Sequence, residues 1–322
     1  MSDGEALREV VIAKKAIEAH NMASFELVPS DGRALPAFSP GAHIDVNIPG
    51  GFTRQYSLMN PASERHRYLI GIWRDANSRG GSSGLYDTVK EGDTLQISLP
   101  RNRFRVPSKT ARALLIARGI GATAVLSIAD YLKAANIPFE FHYVFAAMSP
   151  GSFKALIDSS AYAENTKYYF ELSTDNQLIS LPEILEGKPE DTQLFICGAD
   201  WWQDPIIRLA NEKYGFGDQR IHSERFTAKL AVPPLDKAFN ITIKSVGRVL
   251  SIPGEESVST YLNQNGVKVP TSCEQGLCGA CKTKILEGEA EHRDSGLTDA
   301  EKAEGFFLPC VSRGKTDLVL DL

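Results

Sequence analysis

The run Cys273-Glu274-Gln275-Gly276-Leu277-Cys278-Gly279-Ala280-Cys281, followed after 28 residues by Cys310, holds four of the chain's five cysteines. C-x4-C-x2-C with one distant cysteine is the plant-type ligand pattern for a [2Fe–2S] cluster, in which three thiolates converge from one loop and a fourth arrives from another segment. Gly276 and Gly279 suit such a loop, which needs backbone angles that a β-carbon resists and amides close enough to donate to sulfur. Two other readings use the same cysteines. A zinc site usually joins two C-x2-C hairpins into a closed tetrahedron, whereas here the first gap is four residues and the last cysteine stands alone. Disulfides would crowd three cysteines into a nine-residue loop. If iron and sulfide bind, the protein moves one electron at a time, at a potential of about −400 mV for this cluster type.

With 322 residues, 43% of them hydrophobic, the chain is long enough for two or three domains with separate cores. Lys+Arg 35 against Asp+Glu 40 gives a net charge of −5, without the basic stripe of a nucleic-acid binder. No apolar run approaches the roughly 18 to 20 residues that cross a bilayer. Met1-Ser2-Asp3-Gly4-Glu5 is acidic where a signal peptide is basic, so the expected location is a reducing cytoplasm in which thiolates can hold iron.

Working back from the cysteines, Asn240 to Val246, the turn Gly247-Arg248 and Val249 to Pro253 read as a hairpin. Glu256 to Gly266 reads as a helix leading into the cysteine loop, and Leu318 to Leu322 as a closing strand. Thr227 to Ala238, with Pro233-Pro234, reads as a linker. Residues 236–322 carry 13 acidic and 10 basic side chains, net −3, against +1 for residues 1–106. That acidity is either a solvated surface or a face for a basic partner.

Upstream lies an alternation of strands and helices. Ala113 to Ala117 is a buried strand, Arg118-Gly119-Ile120-Gly121-Ala122-Thr123 a glycine turn, and Ala124 to Ala135 a helix, the order that puts a phosphate at a helix N-terminus. Strands at Phe139 to Phe145, Tyr168 to Leu172 and Gln193 to Cys197, with helices at Ser152 to Ser159 and Asp204 to Lys213, imply a doubly wound sheet. The G-x-G turn alone is equally a packing device. Cys197-Gly198, at a strand's carboxyl end where ligands of such sheets bind, is either an inert buried thiol or a residue facing a cofactor.

From Val10 to about Val106 the pattern is of short strands, among them Ile44 to Ile48, Tyr68 to Trp73 and Leu95 to Leu99, divided by turns and few helices, which points to a small antiparallel barrel. Arg54-Gln55-Tyr56-Ser57 and Arg79-Gly80-Gly81-Ser82-Ser83 lie inside it. Arginine offers a cationic fork, glycine amides approach an anion closely, and serine hydroxyls complete a phosphate cradle. Both segments are also readable as an ordinary turn and a barrel edge.

These blocks together resemble the phthalate dioxygenase reductase family over essentially the whole chain. The likeness takes in Arg54-Gln55-Tyr56-Ser57, Arg79-Gly80-Gly81-Ser82, Gly119-Ile120-Gly121-x-Thr123, Cys197-Gly198, Glu224-x-Phe226, the four cluster cysteines, Gly288 to Asp294 and Leu318 to Leu322. It implies a multidomain β, α/β and α+β chain: an FMN-binding β-barrel over 1–106, a doubly wound NAD(P)H-binding domain over 107–228, a linker at 229–238, and a β-grasp plant-type ferredoxin over 239–322. It also implies that Arg54, Gln55, Tyr56, Ser57, Gly71, Ile72 and Trp73 line FMN, that Arg79, Gly80, Gly81, Ser82 and Ser83 hold its phosphate, and that Thr123 and Phe226 complete that site. Arg118, Gly119, Gly121, Cys197 and Gly198 would then meet NADH, and Cys273, Cys278, Cys281 and Cys310 would bind [2Fe–2S]. Related benzoate dioxygenase-type reductases, which carry the ferredoxin first and bind FAD, are less similar.

The family's glycine turn reads Gly-Gly-Ile-Gly-x-Thr-Pro, but here Arg118 replaces the first glycine and Ala124 the proline. Cys197-Gly198-Ala199 stands where Cys-Gly-Pro is common, and Ala146-Ala147-Met148 where an arginine is common. Either the nucleotide is bound in an altered way or its binding is weakened, and NADH against NADPH is open. Hydride delivers electrons in pairs and the cluster accepts them singly, so a flavin must stand between. The implied activity is an NADH-dependent reductase component that feeds an oxygenase with a Rieske centre and non-haem iron, in an aromatic-ring oxygenase or O-demethylase system, with the chain a monomer. The alternatives are a reductase for another acceptor, such as a haem monooxygenase, and an electron carrier whose nucleotide domain has decayed. Six scattered histidines support no oxygen-activating iron site in the chain itself.

Overall fold

The computed structural model describes residues 7–49, 51–75, 81–145, 151–170, 181–226, 237–271, 274, 276, 279–294 and 296–322. Described residues up to Arg225 form one compact unit and those from Phe226 a second.

The first unit opens with strands β1 (Arg8–Ala19), β2 (Met22–Pro29), β3 (His43–Ile48), β4 (Phe52–Ser57) and β5 (Tyr68–Trp73), then helix α1 (Gly81–Thr88) and strand β6 (Thr94–Ile97). They make one antiparallel sheet in the order β4-β3-β6-β1-β2-β5. Leu58, just past β4, bridges to Ile70 of β5 and closes the sheet into a barrel. The inward face of each strand supplies the core, including Val10, Phe25, Ile44, Val46, Tyr68, Ile70 and Ile97. Helix α1 departs from the sequence expectation of a cradle on a bare turn. Gly81 and Gly84 are poor helix formers; the helix is held because Leu85 is buried in the barrel core. The Lys15 ammonium also bonds the Val89 carbonyl at 2.9 Å, just beyond the helix end.

The same unit continues with β7 (Arg112–Arg118), a 3-10 turn at Gly119–Gly121, α2 (Ala122–Ala134), β8 (Phe139–Phe145), α3 (Lys154–Asp158), β9 (Thr166–Phe170), α4 (Leu181–Leu185), β10 (Thr192–Cys197), α5 (Asp200–Glu212) and β11 (Ile221–Glu224). The sheet is parallel throughout, in the order β11-β10-β7-β8-β9. This is the doubly wound order, with its switch point between β7 and β10. The edge strand β11 and helix α4 carry too little periodicity for sequence reasoning to find. Helix α5 starts at Asp200, four residues before the expected Asp204, since Pro205 this near the N-terminus forfeits one backbone bond while Trp202, Ile206 and Ala210 bury a continuous face.

The second unit holds β12 (Phe239–Ile243), β13 (Arg248–Ile252), α6 (Val258–Gln264), β14 (Thr283–Glu287), β15 (Ala290–Glu291), α7 (Asp299–Ala303), β16 (Phe306–Phe307), β17 (Arg313–Gly314) and β18 (Leu318–Leu320). Its mixed sheet runs β13-β12-β18-β14-β16, with β12 and β18 parallel. Val258 and Leu262 of α6 pack into the core beside Ile241, Ile252 and Leu320. Ser257 caps that helix by accepting from the Thr260 amide.

Candidate functional site

Strand β4 carries Arg54-Gln55-Tyr56-Ser57 with alternating faces, so the four residues do not point the same way. Arg54 and Tyr56 pair with Val46 and Ile44, and Gln55 and Ser57 with Asp45 and His43. As an edge of the ordered sheet, β4 is laddered on one side only, which leaves outward backbone groups for a planar heterocycle. The Arg54 side chain crosses the start of α1. A β-carbon on Gly81 would stand 2.8 Å from its Nε and 2.9 Å from its Cγ. The Arg54 side chain thus lies beside that helix's first turn, where Ser82 and Ser83 are half-buried, and its Nη1 donates to the Thr53 carbonyl at 2.7 Å. A cationic side chain beside the open amides of a helix N-terminus is the kind of arrangement that suits a phosphate. Tyr56 is buried with its hydroxyl unpartnered, and burial pushes its pKa up, so it stays a neutral donor that a cofactor oxygen or nitrogen would satisfy. Both observations fit FMN. Arg79 and Gly80 lie outside the described residues.

Gly71 and Ile72 are buried in β5, and Trp73 is half-buried. A β-carbon on Gly71 would stand 2.6 Å from Thr123 Cγ2, 2.8 Å from Phe153 and 2.9 Å from Met59 Sδ. Gly71 is thus where barrel and parallel sheet interlock, and it brings Thr123 of α2 to the barrel wall. The Thr123 hydroxyl donates to the Ile120 carbonyl at 2.9 Å. Phe226 is the first residue of the second compact unit.

Sequence reasoning missed the polar ladder that supports Gln55 and Ser57. Gln55 donates to Asp45 at 3.0 Å, and Asp45 also accepts from Arg101 at 2.6 Å. The Ser57 hydroxyl donates to Glu224 at 3.4 Å, and the other Glu224 oxygen lies 3.7 Å from His43 Nδ1. His43 Nε2 is buried without a partner. The signal was present in His43-Ile44-Asp45-Val46-Asn47, whose polar positions oppose Ser57, Gln55 and Thr53.

At the switch point, β7 ends in Arg118 and β10 in Cys197. Gly119 has φ +54°, a conformation that favours glycine. Gly121 has φ −58° and is needed for space, since a β-carbon there would stand 2.6 Å from the Cys197 carbonyl carbon and 2.9 Å from the Gly198 nitrogen. Gly198 in turn faces the Trp202 ring and the Arg118 Cβ. The Gln203 amide ties the strand ends together by donating to the carbonyls of Gly198 at 2.9 Å and Glu224 at 3.3 Å. Arg225 clamps Asp200 at 2.7 Å and Asp204 at 2.6 Å. Cys197 is fully buried in register with Glu224. Burial, with Glu224 and Asp200 adding, pushes its thiol well above the ordinary value, so it stands here as a neutral wall residue and not as a nucleophile. The five residues expected at NADH converge on this crevice, while Ala146, Ala147 and Met148 lie outside the described residues.

In the second unit, Cys281 and Cys310 are buried with sulfurs 3.4 Å apart. That separation exceeds the ~2.05 Å of a disulfide. It approaches the ~3.8 Å between two thiolates bound tetrahedrally to one metal at ~2.3 Å. Gly276 and Gly279 both have φ +69°, and a β-carbon on Gly276 would strike Val311 Cγ2 at 2.5 Å. The segment after Cys310 is fastened by Arg313, which donates to the carbonyls of Glu256 at 2.6 Å and Pro253 at 2.8 Å. Asp294 accepts from Ser312 at 2.8 Å and packs on Gly276, which explains why Gly288 to Asp294 accompanies the cysteines. Cys273 and Cys278 lie outside the described residues. The geometry and the all-thiolate donor set fit an iron–sulfur centre.

A family model described as a 2Fe-2S iron-sulfur cluster binding domain matches residues 241–315. The chain is 40% identical to vanillate O-demethylase oxidoreductase of Pseudomonas sp. (strain HR199 / DSM 7063), over 98% of this chain and 99% of that protein. It is similar to the solved structure of a phthalate dioxygenase reductase, a modular structure for electron transfer from pyridine nucleotides to [2Fe–2S], with TM-score 0.78 and 33% identity over 98% of each chain. It also matches an intact type IV self-sufficient cytochrome P450 monooxygenase, with TM-score 0.83 and 29% identity over 98% of this chain and 41% of that one.

Proposed function

Because this chain belongs to the phthalate dioxygenase reductase family, we propose that it is the reductase component of a Rieske-type aromatic-ring oxygenase or O-demethylase system, taking electrons from NADH and passing them singly to the oxygenase. Bound FMN supplies the conversion of an electron pair into single electrons, and the [2Fe–2S] centre relays them. The protein's part is to hold and screen these groups. Arg54 and the first turn of α1 grip the phosphate. Tyr56 and Ser57 flank the flavin ring, Gln55 being fixed by Asp45, and Gly71 and Thr123 close the far wall. Arg118, Gly119, Gly121, Cys197 and Gly198 form the nucleotide crevice, and the neutral Cys197 thiol leaves no competing nucleophile there. Cys273, Cys278, Cys281 and Cys310 ligate the cluster.

The observation that carries this reading is the buried Cys281–Cys310 pair in a β-grasp unit, on the same chain as a barrel with a phosphate cradle. Similarity to vanillate O-demethylase oxidoreductases favours a methoxylated aromatic acid as the oxygenase's substrate. Among the described residues no helix is long and apolar enough to cross a membrane. We infer a monomer working in a reducing compartment, where thiolates can hold iron. The test is anaerobic purification, assay of FMN, iron and sulfide, and stopped-flow reduction by NADH and NADPH. No bleaching of flavin absorbance by either at millimolar concentration refutes the reading. A second reading rests on the P450 likeness, in which the same module is part of a haem monooxygenase. Electron delivery to a haem acceptor and not to a Rieske oxygenase would favour it.

A further inference from the structure

Arg118 occupies the position where the resemblance expects a glycine, and its side chain has a definite place. The guanidinium lies over the ring of Trp201, 4.7 Å from the centroid. Trp201 is 56% exposed, whereas the adjacent Trp202 is 4% exposed and packs beneath Gly198. A large exposed aromatic at the second residue of α5 has no packing role in the core of the sheet, whose cluster includes Trp202 instead. The Arg118 Cβ sits against Gly198, and Gly121 of the following turn sits against the Cys197 main chain. From there the guanidinium reaches the indole of Trp201 at the start of α5.

We propose that Arg118, held over the ring of Trp201, anchors the pyrophosphate of the pyridine dinucleotide, replacing with a side-chain fork the close main-chain approach that a glycine allows. This rests on the reading of the chain as an NADH-dependent reductase. A guanidinium over an indole face is oriented by that face, and a bidentate fork suits phosphate oxygens. The α2 N-terminus, which follows the turn, adds positive potential on the same side. Trp201 is a positioning residue: it fixes the rotamer and so reduces the entropy lost on binding.

Calorimetric titration of the oxidised holoenzyme with NAD+, ADP-ribose and adenosine tests this without turnover. R118A is expected to weaken NAD+ and ADP-ribose alike by about tenfold or more, as loss of a charge-assisted hydrogen bond implies, and to leave adenosine unchanged. Its affinity should also depend less on ionic strength than the wild type's. W201A is expected to cost about two- to fivefold and W201F to recover most of it. R118K keeps the charge but loses the planar fork, and serves if R118A proves unstable; an intermediate loss of about threefold or more is expected. An R118A or R118K protein that retains flavin, iron and wild-type melting temperature yet binds ADP-ribose within twofold of wild type overturns the assignment alone. Wild-type protein that binds neither NAD+ nor ADP-ribose overturns the reductase reading with it.

Discussion

Two glycines in the first unit should respond to the same substitution with opposite signs. Gly121 has an ordinary helical φ of −58°, so alanine meets no conformational penalty there. Its methyl carbon, however, would lie 2.6 Å and 2.9 Å from main-chain atoms of Cys197 and Gly198, where contacts normally open to about 3.5–4.0 Å. Relief requires the turn and the end of β10 to part by roughly 1 Å. Both are packed in the centre of the sheet, so the cost is about 2–3 kcal/mol, the upper part of the overpacking range. At about 2–4 °C per kcal/mol for a unit of this size, G121A should lower the melting temperature by about 5–10 °C. Because the displaced atoms form the crevice floor, NADH affinity should fall too. Gly84 lies inside α1, and a β-carbon there would sit 3.7 Å from Ile48 Cγ2, an ordinary contact. G84A should stabilise by about 0.4–1 kcal/mol through the unfolded chain. Differential scanning calorimetry of the holoenzyme, with stopped-flow flavin reduction over a range of NADH concentrations, measures both effects. If G121A melts within 1 °C of wild type and binds NADH equally well, the crowding argument at the switch point is wrong.

Three further outcomes are expected. C310S should abolish cluster iron and acid-labile sulfide while leaving flavin content unchanged; retention of two irons per chain would remove Cys310 from the ligand set. R54A should lose FMN on gel filtration while the cluster spectrum persists, because the phosphate cradle loses its charge; undiminished flavin occupancy contradicts the cradle. Burial, with Glu64 adding, raises the Asp130 carboxyl from its ordinary 3.8 to about 7. The folded state therefore favours the protonated acid, a contribution complete below pH 3.8 and lost as pH rises to 7. D130N should be more stable than wild type above pH 7, by about 1 kcal/mol after allowing for solvent screening, with the difference vanishing near pH 4. Urea titrations at pH 4, 6 and 8 that show a constant difference would exclude the titration.

What could be read in the sequence was whatever the local chain determines. The cysteine spacing is a property of one loop, and the run Ala113 to Thr123 carries strand, turn and helix in consecutive residues. The remainder depended on partners distant in sequence. Strand β1 was only partly visible because Lys14 and Lys15 interrupt its alternation; in the fold the Lys15 ammonium lies over the rings of Phe25 and Tyr86. Helix α1 contains two glycines and is fixed by tertiary contacts. Glu224 acquires its place beside Ser57 and His43 only because β11 joins the sheet in parallel with β10, a register that nothing near residue 224 encodes. Arg118 was visible as a departure from a motif, but the ring it lies over is 83 positions further along the chain, in helix α5.

The parallel pairing of β12 with β18 sets Ile241 beside Leu318 and Ile243 beside Leu320. Every sulfur donor of the unit lies on the long excursion between those strands. Closing so distant a pair is entropically slow, and the sheet's middle cannot zip until it happens. A newly made or refolding chain must therefore pass through a period in which its thiols are solvated and not yet neighbours, open to oxidants and to the wrong metal. Assembly of the electron-transfer centre is thereby coupled to the docking of β18, and recovery after denaturation should depend on reductant and iron being present before that strand docks.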